Sequence, residues 1–311
     1  MTELKHALSG RFVLQTAKAD SDGNEIPGTR KVVAPWQDNL ITNNGMDYIG
    51  GNGASPGNFL QYVSVGSGAN PPQFTDNALQ ARIATTNYYT SGGITSGFTT
   101  SAPYFSWYRK EFQFAAGAAA GVLSEIGLTG SGGTPAYTRA LIKDSAGNPT
   151  TITVLSDELL IITYERRVYC HTEDVVTTAT IKGVGTTITI RPSQLGTSGG
   201  HYPEGPIRWS AFSGESWYYG GTGVGPSTGV PSGTAVSYGR SSTDAAYISG
   251  TYYVDQTIPL TLQDAAGLTL TALRGAYAPT SYQIGFQPGI SKTASETVAL
   301  RLRMSWARYE P

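Results

Sequence analysis

The first residues that could do chemistry are serines in glycine-rich segments. The hydrolase pattern G-x-S-x-G occurs at Gly53–Gly57, Gly196–Gly200 and Gly225–Gly229. A nucleophilic serine of this kind needs an apolar strand before it and a helix after it, because that sharp turn exposes its hydroxyl. None of the three segments has such flanks, and the chain contains 39 glycines. The pattern therefore indicates loops rather than a hydrolase site.

Metal-ligating residues are few. Cys170, His171 and Glu173 are near neighbours in the sequence, and His201 is followed by Glu204. A closed metal site needs about four ligands, and C-x-x-C and H-x-x-x-H spacings are absent. We interpret the first group as a polar connector and the second as part of a loop. The sequence thus predicts no metal and no cofactor, and it lacks the glycine motifs that bind nucleotide phosphates.

Paired carboxylates, which glycosidases require, are also hard to find. Most aspartates lie at turns, where their side chains ordinarily accept backbone hydrogen bonds. Glu125 is different because it lies within an apolar strand, Val122 to Leu128. We expect it to be buried and to accept hydrogen bonds from backbone or arginine. The prediction is that the protein is not an enzyme.

The best candidate for a binding surface is a set of aromatic residues in the long segment 196–250, which is rich in Gly, Ser and Pro. Its members are Trp209, Trp217, Tyr218 and Tyr219. Exposed rings of this kind stack on sugars or anchor a protein neighbour. The alternative is that the rings fill the core beneath a long loop. Irregular segments of this length are uncommon and are usually functional or disordered.

Composition favours an all-β protein. Charged residues make up only 14% of the chain, and there are 39 glycines and 19 tyrosines. We predict two antiparallel β-sandwich-like domains with long Gly/Ser/Tyr-rich loops and a few short helices. The net charge of −1 argues against nucleic-acid binding. No apolar run approaches the ~18 residues that span a bilayer. We expect no secretory signal. The chain has a single cysteine, so it forms no internal disulfide.

The order of predicted elements gives the domain organisation. Hairpins are expected over 11–33 and 139–154, and a strand covered on both faces is expected over 159–169. The closing strand, 298–307, alternates apolar residues with arginines, which fixes its register. The composition changes near Cys170. We therefore place an N-terminal domain at 1–170 and a C-terminal domain at 171–311.

The segment from Trp36 to Thr86 predicts strand, short helix, strand and short helix. Asn43 or Asn44 is expected to cap the first helix, which ends at Gly50-Gly51. The next strand breaks at Gly66-Ser67-Gly68, and Thr75 is expected to cap a second helical turn. The motifs "DNLITNNGMDYIGG", "VSVGSG" and "TDNALQ", with "GVLSEIGL" and "LLIITYERRVY" downstream, resemble the N-terminal region of tailed-bacteriophage tail-fibre and appendage proteins.

The resemblance covers roughly the first half of the chain, and its motifs are structural rather than catalytic. It implies a structural protein of a virion tail (fibre, baseplate or appendage), made in the host bacterial cytoplasm and acting in tail assembly and host attachment. It also implies a homotrimer that contacts other virion proteins, with 1–170 as the attachment domain and 171–311 facing other subunits, a host receptor or a surface glycan. The alternatives are a head decoration or collar protein, a polysaccharide-degrading tail spike and a carbohydrate-binding module.

Overall fold

The computed structural model describes residues 2–51, 56–204, 215–238, 243–277 and 280–310. Strands dominate this part of the chain, so the predicted all-β class is confirmed. The chain divides into two compact units. Unit 1 comprises Met1–Ala7, Gly97–Ser106 and Val168–Ala307, and unit 2 comprises Leu8–Ser96, Trp107–Arg167 and Arg308–Pro311.

The division differs in part from the predicted domains. The change of unit between Arg167 and Val168 lies close to the predicted boundary at Cys170. However, residues 1–7 and 97–106 belong with most of the C-terminal half, and residues 308–311 belong with most of the N-terminal half. The composition of the chain does not reveal that these short segments belong with the opposite half, because that depends on which strands pair.

Among the described residues before 182, the structure has twelve strands and two α-helices. They are β1 (Thr2–Lys18), β2 (Lys31–Ile41), α1 (Asn43–Gly51), α2 (Pro56–Phe59), β3 (Tyr62–Gly66), β4 (Arg82–Thr86), β5 (Tyr89–Phe98), β6 (Phe105–Phe114), β7 (Gly121–Leu123), β8 (Glu125–Thr129), β9 (Thr138–Leu141), β10 (Ile152–Val154), β11 (Glu158–Tyr169) and β12 (Val175–Ile181). In unit 2 the strands follow the order β1-β2-β9-β8-β3-β4. On the other side of β1, β11 pairs with β1 and with β6, and β6 pairs with β5.

Of the two hairpins predicted in unit 2, the first is present, whereas only the turn of the second is formed. β1 and β2 pair antiparallel, with Arg11 opposite Asp38, which confirms the first hairpin. In the second, the turn closes through an isolated bridge between Lys143 and Pro149, and β10 pairs with β7 rather than with β9. The expected single strand from Val122 to Leu128 is therefore two strands that pair with different partners.

The remaining strands belong mainly to unit 1. They are β13 (Val184–Pro192), β14 (Glu215–Tyr219), β15 (Thr234–Tyr238), β16 (Thr243–Asp244), β17 (Tyr253–Leu260), β18 (Thr269–Tyr277), β19 (Thr280–Ser291) and β20 (Val298–Arg308). One sheet has the order β12-β13-β19-β18-β14-β15, and the other runs β16-β17-β20-β1. Both sheets contribute to one apolar core, in which Leu273 and Phe286 of the first meet Ile258 and Leu302 of the second.

Two strands follow their sequence pattern closely. In β20, Leu302, Met304 and Trp306 are buried, while Arg301 is exposed, as the alternation predicts. β11 is buried at nearly every position, which confirms a strand covered on both faces. By contrast, the segment predicted to be irregular, 196–250, contains β14, β15 and β16.

Candidate functional site: an arginine–tryptophan face on unit 2

The predicted aromatic surface is largely inside unit 1. Trp217 is 1% exposed and stacks on Phe286 with ring centres 6.4 Å apart. Tyr218 is also buried, and Tyr219 is partly buried. Their strand, β14, lies between β15 and β18, so its inward side chains fill the core. Trp209 lies outside the described residues. For Trp217 and Tyr218, the core-filling alternative describes the structure, and an exposed surface does not.

A serine and a histidine in unit 1 lie as close together as in a hydrolase dyad. However, the imidazole nitrogen that faces the serine carries a proton, whereas a catalytic base needs an unprotonated nitrogen there. Ser106 Oγ lies 3.0 Å from His201 Nδ1, and the backbone N–H of Gly196 donates to His201 Nε2 at 3.0 Å. Because Nε2 accepts that proton, the neutral ring carries its own proton on Nδ1 and donates it to the serine. Burial lowers the pKa of His201 to about 4. The imidazole therefore cannot act as a base towards Ser106.

The other sequence candidates are not assembled into a site. The thiol of Cys170 contacts the hydroxyl of Thr280, and burial raises its pKa to about 12. Burial also lowers the pKa of His171. Among the described residues, no three His, Cys, Asp or Glu side chains gather as metal ligands would. In the described G-x-S-x-G segments, neither Ser198 nor Ser227 precedes a helix. The first such segment lies partly outside the described residues.

Glu125 is a structural acceptor, as predicted. It is fully buried, and its carboxylate accepts the backbone N–H groups of Gly68, Gln80 and Ala81 at 2.7–3.1 Å. Arg139 Nε also donates to it, at 2.9 Å. The same guanidinium donates to Asp76 and to the Asn70 carbonyl, so one ion pair holds the whole loop between β3 and β4. A carboxylate with four donors has no free lone pair for acid–base chemistry.

The sequence motifs that carry the resemblance meet around this loop. Thr42, rather than Asn43 or Asn44, caps α1, because its hydroxyl oxygen accepts the Gly45 N–H. The same hydroxyl donates to the Ala136 carbonyl at 2.6 Å, and the Asn43 N–H donates to the Phe74 carbonyl. The second helical turn, which we expected Thr75 to cap, does not form. Residues 74–75 form a turn instead. The motif residues thus connect α1 to the loop before β4 and to the segment just before β9.

On one face of unit 2, three arginines surround a single carboxylate. Glu165 of β11 is 1% exposed and accepts Arg11 Nε at 2.7 Å and Arg167 Nε at 2.6 Å. Arg109 Nε donates to its other oxygen. Burial acts to raise the pKa of Glu165, but hydrogen bonds from the three arginines outweigh it and lower that pKa. The cluster therefore stays ionised at neutral pH, with two more positive charges than negative ones.

Two tryptophans extend this cluster towards solvent. The guanidinium carbon of Arg11 lies 4.5 Å from the centre of the Trp36 ring, and that of Arg109 lies 4.3 Å from the Trp107 ring and 5.6 Å from the Trp36 ring. Trp36 is 39% exposed. A guanidinium and an indole stacked at these distances attract each other, and this attraction holds both planar groups in place. We call these residues the arginine–tryptophan face: Trp36, Trp107, Arg11, Arg109, Arg167 and Glu165.

Strand alternation explains how the face forms. In β6, Ser106, Tyr108, Lys110, Phe112 and Phe114 are buried, so Trp107 and Arg109 project from the other side. β1 and β11 bring Arg11 and Glu165 alongside, and β2 brings Trp36. The sequence analysis missed this face, because its residues come from four strands that are far apart in the chain.

The surroundings moderate the charge of the face. Asp38 lies opposite Arg11 across β1 and β2, and Glu111 binds Arg30 at 3.1 Å. Arg30 also binds Glu25, so this group of one guanidinium and two carboxylates carries one more negative charge than positive. Together with Asp38, this group offsets the two excess positive charges of the face.

No protein family, curated protein or solved structure matches the chain. The resemblance to tail-fibre and appendage proteins therefore rests on the quoted motifs alone.

Within the part of the chain that the structure describes, no helix is long and apolar enough to cross a membrane.

Proposed function

We propose that the chain is a non-enzymatic structural subunit of a tailed-phage virion, located in the tail, and that it binds a neighbouring subunit through the arginine–tryptophan face. The tail location and virion role come from the motif resemblance. The observation that supports a binding role is the face itself. It presents the exposed indole of Trp36, with the half-buried indole of Trp107 and three half-buried guanidiniums, and these groups are already ordered before a partner arrives.

The residue types on the face suit a protein interface. Trp and Arg are the side chains most enriched among residues that dominate binding energy. Ordering them in advance lowers the entropy lost on association. Here the buried carboxylate of Glu165 fixes all three arginines, and the arginines in turn fix the indoles. The partner surface would supply acidic groups that pair with the partly exposed guanidiniums of the face.

The remaining ionisable groups support a structural role. Glu125 is used to hold a loop, and His201 donates to Ser106 rather than activating it. The proposed assembly through copies of the chain and other virion proteins, including a homotrimer, follows the resemblance. A head decoration or collar location is the main rival, and it would use the same kind of face.

The proposal is tested by replacing Trp36 and Trp107 with alanine in the gene carried by the phage. Loss of a dominant interface ring costs about 2 kcal/mol or more, so incorporation of the double variant into particles should fall about tenfold or more. The matched control is Arg303→Ala in unit 1, which removes a guanidinium that lies 3.6 Å from the Tyr253 ring and binds Asp255. This control should be incorporated normally.

Folding of each variant is checked by circular dichroism and thermal unfolding. Arg11→Gln gives a second test, because it keeps both indoles but removes one cation from the face. If both face variants fold and enter particles at the wild-type level, the arginine–tryptophan face is not a subunit contact. If no particle contains the wild-type chain, the virion role itself is wrong.

A further inference from the structure

The outermost strand of unit 1 leaves one edge of a sheet open. β12 is the last strand of its six-stranded sheet and pairs with β13 at all seven positions without a register shift. Within the described part of the chain, its backbone bonds to no other segment. An unpaired edge is a template for another strand, and proteins usually protect it with a charge, a proline or a bulge. β12 contains no charged residue, no proline and no bulge.

The turn between β12 and β13 determines which backbone groups point towards the open edge. Lys182 and Gly183 form a two-residue connection, and both have positive φ, of 56° and 79°. Such a turn makes its flanking residues, Ile181 and Val184, a hydrogen-bonded pair. Hydrogen-bonded pairs alternate along an antiparallel ladder, so every second residue of β12 directs its N–H and C=O groups away from β13. These residues are Val176, Thr178 and Thr180.

The sequence of β12 fits an antiparallel copy of itself. When Thr178 lies opposite Thr178 of a second copy, Val176 lies opposite Thr180, and each outward N–H meets an outward C=O. Residues that lie opposite each other point to the same side of a sheet. The opposite pairs of this register match in burial, because Val175 and Ile181 both pack against the core of unit 1, whereas Val176 and Thr180 are exposed.

Charges at the two ends of β12 favour the antiparallel arrangement. Asp174 precedes the strand and Lys182 follows it, so in this register Asp174 of each copy lies opposite Lys182 of the other. A parallel arrangement would bring like charges together. Asp174 already binds Arg191, and Lys182 already binds Glu296, but their side chains remain 37% and 43% exposed. Such exposed pairs add little free energy, and their effect here is to select the orientation.

An apolar groove lies beside the open edge. Its volume is about 280 Å³, and residues of β12 and β20 are among those that line it. Its apolar lining includes Ala179, Ile181, Ile188, Leu300 and Leu302. In the paired register, Val175 of the second copy lies opposite Ile181 and points to the same side of the sheet. Pairing would therefore add an apolar side chain next to this groove and remove apolar surface from water.

We propose that unit 1 binds a second copy of the chain through β12, edge to edge and antiparallel, about a two-fold axis at Thr178. This contact is separate from the arginine–tryptophan face, which belongs to unit 2. It is also separate from the homotrimer that the resemblance implies, because a two-fold axis relates only two copies.

The test is disulfide cross-linking of the purified full-length chain with oxidised glutathione. Opposite residues of a hydrogen-bonded pair have Cα atoms about 5.5 Å apart, which a disulfide spans. Thr178→Cys should therefore give a dimer on a non-reducing denaturing gel. Thr180→Cys is the matched control, because the two copies of residue 180 lie about 14 Å apart in this register. The thiol of Cys170 contacts Thr280 and has a raised pKa, so the wild-type chain gives the background.

A mixture of two variants checks the register and decides the outcome should Thr178→Cys fail to fold. Val176→Cys and Thr180→Cys should each cross-link poorly alone and form a mixed dimer when combined, because residue 176 lies opposite residue 180. Thr178→Lys brings two like charges together at the axis, so it should weaken association in sedimentation velocity about fivefold. Val184→Lys, at an exposed position of β13 away from the open edge, should not.

The inference is overturned if Thr178→Cys folds and cross-links no better than Thr180→Cys, or if the variants at 176 and 180 form no mixed dimer. It is also overturned if folded Thr178→Lys associates as the wild type does. Adding Trp36→Ala and Trp107→Ala to the Thr178→Cys chain should leave the cross-link unchanged. Failure of the subunit contact proposed for the arginine–tryptophan face and failure of this contact are therefore distinguishable.

Discussion

Unit 1 holds all three histidines of the chain, whereas unit 2 buries Glu125 and Glu165 against arginines. In unit 1, burial favours the neutral form of each imidazole. His6 is buried, neither of its ring nitrogens has a hydrogen-bond partner within the described part of the chain, and burial lowers its pKa to about 3. In unit 2, Arg11, Arg109 and Arg167 keep Glu165 ionised. The two units therefore accommodate buried ionisable groups in opposite ways: unit 1 keeps them neutral and unit 2 pairs their charges, so the units should respond differently to mutation and to pH.

The largest expected effect is in unit 2. Glu125→Leu leaves Arg139 without its buried carboxylate and three backbone N–H groups without their acceptor. Removing one partner of a buried ion pair costs about 3–5 kcal/mol. Urea unfolding monitored by hydrogen exchange of peptides from residues 66–82 should show this loss. The double variant with Arg139→Leu should regain part of it, and a loss below about 1 kcal/mol would contradict the structural role of this pair.

The next effect separates the units by pH. An unfolded histidine has a pKa near 6.5, and the folded values for His6 and His201 are about 3 and about 4. Between the folded and unfolded values, the unfolded chain binds a proton that folded unit 1 does not, so lowering the pH favours unfolding. At pH 5, each of these two histidines should reduce the stability of unit 1 by about 2 kcal/mol.

The groups that face His6 and His201 do not reverse the expected loss of stability at lower pH. His6 meets the edge of the Tyr282 ring at 6.0 Å and is also disfavoured in its charged form by His171. His201 lies against Phe98, Ser106 and the Gly196 N–H. In unit 2, Glu165 has a lowered pKa, so the stability that it contributes is lost only as the pH falls below about 4.5.

Hydrogen exchange measured at pH 7 and pH 5, after correction for intrinsic rates, would test this difference. Unit 1 peptides should lose protection between these pH values, and unit 2 peptides should retain it. His6→Phe should remove part of the pH dependence of unit 1. Equal losses in both units would contradict the account.

The smallest expected change in stability comes from replacing one glycine in each unit by alanine. A Cβ at Gly68 would lie 2.5 Å from both Glu125 Oε1 and Gln80 Cβ, so Gly68→Ala should cost unit 2 about 1–3 kcal/mol. A Cβ at Gly185, in β13 of unit 1, meets nothing within 4 Å. Gly185→Ala should therefore be neutral or stabilise by up to about 1 kcal/mol. Urea unfolding of both variants checks the contrast, and equal costs would refute the close approach at Gly68.

Local pattern was enough to predict some parts of this structure. The alternation in β20 predicted its buried face, and the position of Glu125 within an apolar strand predicted a buried acceptor. The run of turn-forming residues at Asp20–Asn24 is typical of a hairpin, and β1 and β2 form the one expected there. In each case the signal lies within about ten residues of the chain.

Other features depend on strands that are far apart in the sequence. Glu165 and Arg11 are separated by 154 residues, and neither position shows by itself that the two will meet. The aromatic residues Trp217 and Tyr218 were conspicuous in a glycine-rich segment, but the pairing of β14 with β15 and β18 places them in the core. Exposure of an aromatic residue is decided by such pairing, and composition alone does not give it.

The central claim, that this chain is a tail subunit joined to a neighbour through the arginine–tryptophan face, is tested most directly by electron cryo-microscopy of phage particles that carry its gene. We expect density for the chain in the tail, in threefold or sixfold copies, with Trp36 and Trp107 covered by acidic residues of an adjacent subunit. Density on the head or neck would contradict the tail location. A tail position with both indoles facing solvent would contradict the proposed contact.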